Sequence, residues 1–276
     1  MSLLVNVSLD TESPEGVGGA LAAWFDAALS GPLAELMGAV RAGSAWLSAE
    51  SQTTEDEPAK KFAVEADGWE VMRSELLDVP ECADVMFFRY GRERPSAHVE
   101  GSSIMFRRPN MNLQLWLGDE EAPYTKVAFS SAVVYFLVGV LDSVNPAFGS
   151  VVVDEPITEE ANLDAVLRRK LWRSVAAARR QLRGYSWITV CPGELADKLG
   201  GVSYLQHSGA FHKVIPLSAG GVVLQASPTP AGYIDGVMRR VFDVLAPVLP
   251  GGTPWFEPAR PKVRYVPEDA ASRGGQ

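Results

Sequence analysis

DVMFFRYG (84–91), AHVEGSSIMFRR (97–108) and NMNLQLWLG (110–118) are the stretches on which the fold reading rests. Apolar and polar residues alternate in them at the period of two that a half-buried strand needs. Turn-forming residues punctuate the region at Gly68, Gly91, Gly101 and Pro109-Asn110. Together with FAVEA (62–66), residues 61–118 read as an antiparallel meander.

Working outward, residues 2–8 (SLLVNVS) read as a short strand. Ser13-Pro14-Glu15 supplies a capping hydroxyl, a first-turn proline and an acid for the positive end of a helix dipole. Leu21, Trp24, Phe25 and Ala28 then lie on one helical face up to the break at Gly31-Pro32, and a second helix runs to about Ala42. The polar stretch 49–60 reads as an exposed loop. Downstream, Pro123 opens an apolar helix centred on 127–141, and 148–155 reads as a strand.

Residues 157–183 read as one long helix, with Asp164, Leu167, Leu171, Val175, Ala178 and Leu182 on one arc and Arg169, Arg173, Arg180 and Arg183 on the other. A strand (SWITVC), a short helix (192–199), two strands joined at Gly220-Gly221 and a closing helix with Ile234, Met238, Val241 and Leu245 follow. Trp187, Leu195, Val222, Leu224, Val241 and Leu245 are expected in one core. The class is α+β, a mixed or antiparallel sheet with helices packed on one face. The domain reading is a single unit over 1–250, divisible into halves 1–145 and 146–250, with an extended tail over 251–276 that frays at its end.

Composition narrows the chemistry. With 25 basic and 34 acidic residues the net charge is −9, which disfavours binding to nucleic acid and suits a basic partner. Cys82 and Cys191 lie far apart with no metal-ligand spacing, as expected of reduced thiols in a cytoplasmic protein. The start MSLLVNVSLD has no positive n-region, and the apolar run 127–141 is short of the ~20 residues a membrane helix needs.

His98, His207 and His212 show neither HExxH nor HxH spacing, GxSxG is absent, and Gly16-x-Gly18-Gly19 is no dinucleotide fingerprint. No catalytic residue, metal site or cofactor is therefore expected. The arginine stripe reads as a solvated face paired to nearby acids. Asp119, Glu120, Glu121, Asp154, Glu155, Glu159 and Glu160 sit at two helix starts. There they stabilise the helix dipole, and together they offer a negative surface for a partner.

Trp187, Leu199-Gly200-Gly201, Gly220-Gly221 and Pro228, within the span Tyr185–Pro250, carry a family resemblance. This segment resembles the C-terminal half of the bacterial type VI immunity family and is similar to the immunity protein 52 group. PTPAGYID departs from that pattern by lacking a Gly-Asp after the proline, and residues 1–110 match only in element order. The resemblance implies a cytoplasmic, non-enzymatic antitoxin that binds and neutralises a cognate polymorphic toxin. The alternatives are an enzyme with an unrecognised small-molecule site, hydrolase-like through His207 or His212, and a secretion accessory or scaffold protein.

Overall fold

The structure is a computed structural model that describes residues 2–10, 14–54, 56–62, 66–105, 108–118, 125–155 and 158–273. The chain falls into two compact units, Met1–Pro123 and Tyr124–Gln276. The division comes ahead of the apolar helix, not at 145, because that helix packs with the later strand Val222–Gln225.

In the first unit the elements are β1 (Leu3–Leu9), α1 (Pro14–Ser30), α2 (Ala34–Arg41), β2 (Ala45–Gln52), β3 (Lys60–Phe62), α3 (Ala66–Leu77), β4 (Cys82–Arg89), β5 (Ala97–Met105) and β6 (Arg108–Leu117). The strands pair antiparallel in the order β3-β2-β4-β5-β6-β1, so the meander β4-β5-β6 forms as its alternation requires. Two expectations are corrected here. The loop at 49–60 is shorter, since β2 continues to Gln52 and pairs with β4. An unexpected helix, α3, follows β3; its signal was Met72 and Leu76, one helical turn apart and both buried.

One face of this sheet carries Val85, Phe87, Val99 and Leu115, all buried. Helix α1 lies against it so closely that a Cβ at Gly101 would stand 2.5 Å from Leu21 and 3.3 Å from Phe25. Glycine is required there by approach, not by backbone angle. The opposite face carries a polar patch, in which Glu50, Asp84, Glu100 and Gln114 form one cross-strand row.

The second unit contains α4 (Val127–Leu141), β7 (Phe148–Val153), α5 (Asn162–Val166), α6 (Leu171–Ala176), β8 (Ile188–Cys191), α7 (Gly193–Lys198), α8 (Gly201–His207), β9 (Lys213–Pro216), β10 (Val222–Gln225) and α9 (Asp235–Leu245). Its strands pair antiparallel in the order β7-β8-β10-β9. The β9–β10 connection turns through Gly220 and Gly221 at φ +106° and +91°, a region glycine alone enters cheaply. All six residues expected in the core are buried, none more than 2% exposed.

The long helix at 157–183 does not exist as such. It is two short helices with a kink between them, where Arg168 adopts φ +51° and Lys170 is extended. The cause is the buried Asp164, whose carboxylate accepts from Arg183 Nη2 at 2.8 Å, from Arg183 Nε at 3.2 Å and from the Ser174 hydroxyl. A straight helix would hold Arg183 on the solvent side, whereas here it is fully buried. The tail is corrected as well. Val263, Val266 and Ala270 are buried, and the Val266 amide donates to the Tyr185 hydroxyl at 2.7 Å.

Candidate functional site

Of the seven acids expected to meet a partner, Asp119, Glu120 and Glu121 lie outside the described residues. The other four share the loop that leaves β7. Asp154 turns the chain with φ +60° and pairs with Lys262 at 3.3 Å. Glu155 is a correction: it is 7% exposed, and its carboxylate takes a short hydrogen bond from Arg260 Nη2. Burial pushes its pKa up while Arg260 opposes the shift, as expected of an acid held inside the protein.

Glu160 keeps more of its surface, with a side chain 40% exposed, and accepts from the second Arg260 nitrogen at 3.4 Å. The Glu159 backbone carbonyl accepts from Arg183 Nη2 at 2.7 Å. Its half-buried side chain has a raised pKa, from burial first and against the pull of Arg183. The loop is therefore held by three cations, Lys262, Arg260 and Arg183, two of which come from the tail. Asp154, Glu159 and Glu160 remain as its accessible acids.

The arginine stripe is redistributed in the same way. Arg183 is buried, and Arg169 pairs with Asp164 at 3.4 Å. Arg168, Lys170, Arg173 and Arg180 are exposed and form no ion pair among the described residues. The expected pairing of this face to nearby acids thus holds for Arg169 and Arg183 alone. Arg168 stacks on the ring of Trp255, and Arg173 lies 5.0 Å from the ring centre of Trp172. Sequence reasoning missed this cluster because Trp255 lies in the segment read as an extended tail.

On the polar face of the first unit, Asp84 Oδ1 and His98 Nε2 are buried, lack hydrogen-bond partners and lie 3.9 Å apart. Burial, with Glu50 and Glu100 adding like charge, pushes the Asp84 carboxyl up to about 6. Burial also lowers the His98 pKa. Desolvation here outweighs attraction, so the contact joins two groups biased toward neutrality and is no true ion pair.

His207 and His212 are exposed, and His207 Nδ1 meets the Ser203 carbonyl at 2.7 Å, not its hydroxyl. Among the described residues no group of three or more His, Cys, Asp or Glu could hold a metal ion. Neither cysteine forms a disulfide among the described residues, and burial pushes Cys191 up to about 12. A groove of about 1070 Å³ runs beside α1, α2 and β2, with Trp46 and Trp69 in its lining. Trp69 donates to Asp26 at 3.2 Å, and Trp46 stacks on Phe88 at 4.1 Å. No helix of the described residues is long and apolar enough to cross a membrane.

The class these features define is an α+β protein with several of its charges held in internal pairs. Its fold is similar to that of the Pseudomonas aeruginosa T6SS protein PA0821, with a TM-score of 0.56 at 14% identity over 90% of this chain and 73% of that one. At that identity the likeness is one of fold. No family model matches the sequence, and no curated protein matches it.

Proposed function

We propose that this chain is an immunity protein of the type VI secretion setting, acting in the cytoplasm by holding a cognate toxin and not by catalysis. The observation that carries the reading is the fold shared with a T6SS protein across 90% of the chain. The segment Tyr185–Pro250, which resembles the type VI immunity family, supports it from the sequence side. No cofactor takes part in this mechanism.

The partner is a basic protein, and the accessible acids Asp154, Glu159 and Glu160, with Asp119, Glu120 and Glu121, are its contacts. Complementary charge of this kind acts first on the association rate and fades as salt screens it. The test is co-expression with the toxin-like product of the neighbouring gene, followed by purification and stopped-flow association at low and high salt. A stable complex, formed more slowly by Glu120→Lys/Glu159→Lys, is the expected result. Absence of any complex, or a toxin that is itself acidic, overturns the reading.

A further inference from the structure

The second unit holds most of its charges in internal pairs. Asp164 binds Arg183 and Arg169, Glu155 and Glu160 bind Arg260, and Asp154 binds Lys262. Glu194 binds Arg179, Asp235 binds Arg264, and Glu268 binds Arg239 and Arg273. The turn from α5 into α6 instead gathers exposed cations within a short stretch of chain. Arg168, Lys170 and Arg173 are exposed, and none of them forms an ion pair among the described residues. The rings that Arg168 and Arg173 lie over are also exposed, Trp255 40% and Trp172 47%, and Phe256, next in sequence to Trp255, is 58% exposed. Exposed tryptophan interleaved with arginine is the composition of interface hot spots, not of a solvated face.

The cluster is also fixed in place. The Trp255 amide donates to the Val166 carbonyl at 3.0 Å, which ties the tail to the end of α5. Arg168, at φ +51°, lays its guanidinium on the Trp255 ring, and Arg173 lies over Trp172. A guanidinium stacked on a ring keeps its in-plane N–H groups free, so it stays a fork donor matched to a carboxylate.

We propose that this surface docks an acidic segment of another protein, with Arg168, Lys170 and Arg173 taking its carboxylates and Trp172, Trp255 and Phe256 taking its apolar side chains. This goes beyond the toxin reading, which uses the acids of the same unit. An acidic polypeptide fits this surface because the planar forks of Arg168 and Arg173 take carboxylates while the exposed rings beside them take apolar side chains, the mix of arginine and aromatic anchors that protein interfaces use.

The test uses two fluorescein-labelled probes of equal charge, a peptide of Glu with interspersed Leu and a single-stranded oligothymidylate. Anisotropy is read on the full chain at low and high salt. The peptide should bind at least tenfold more tightly than the oligonucleotide and weaken with salt. Lys170→Glu/Arg173→Glu should reduce its affinity at least tenfold, and Trp172→Ala severalfold, with unchanged thermal midpoints. Both charge substitutions are at exposed positions, so folding is preserved; Arg168→Lys, which keeps the charge and loses the flat stacked fork, supplies a second arm with an intermediate loss. Tighter binding of the oligonucleotide overturns the proposal in favour of a nucleic-acid surface. No peptide binding, or binding indifferent to these variants, overturns it outright.

Discussion

Asp84→Asn tests how the polar face of the first unit is held, and its effect should depend on pH. Asp84 has a buried Oδ1 without a hydrogen-bond partner, two acids beside it on the neighbouring strands and a histidine biased to neutrality at 3.9 Å. Its carboxyl is raised from 3.8 to about 6, so between those values the folded chain binds a proton that the unfolded chain has lost. Stability from this group is then present below pH 4, falls as pH rises towards 6, and is flat above. Two pKa units correspond to about 3 kcal/mol at most, and screening by solvent brings this to about 1–2 kcal/mol. That screening is real, because the side chain is 23% exposed. Asparagine removes the charge while keeping the shape. Urea denaturation of both proteins should show the variant gaining stability relative to wild type as pH rises from 4.5 to 7.5, with the difference saturating above 6. A difference that does not change with pH would refute the reasoning.

Three further expectations concern the second unit. Arg183→Met leaves the fully buried Asp164 carboxylate unpaired and should cost about 3–5 kcal/mol in chemical denaturation, with Asp164→Leu added in the same chain recovering part of it. Leu245→Ala removes a fully buried side chain from α9 and should cost roughly 2–5 kcal/mol by the same measurement. Tyr185→Phe deletes the acceptor of the Val266 amide and should cost about 1–3 kcal/mol, with faster hydrogen exchange at that amide marking release of the tail.

The α+β class, the meander β4-β5-β6 and the buried Met238, Val241 and Leu245 of α9 were legible in the sequence, because alternation at two and apolar spacing near 3.6 are local consequences of backbone geometry; Ile234, read on the same stripe, precedes the helix and is 61% exposed. The same kind of reasoning failed at 157–183, where a helical pattern was present but a buried carboxylate was stronger. Asp164 and Arg183 are close only once the chain kinks at Arg168, and a charge in the interior must find its partner whatever the local propensity prefers. The acidic loop shows the same limit. Glu155 and Glu160 read as surface charges until Arg260, about a hundred positions away, is placed between them. The exposed cations beside Trp172 and Trp255 likewise emerge only when the tail folds back to Val166. Periodicity along the chain determined most of the strands, β2 excepted, and most of the helices; which charges are buried, paired or left facing solvent was decided by tertiary structure, since ion pairing depends on distance in space and desolvation on what covers each group.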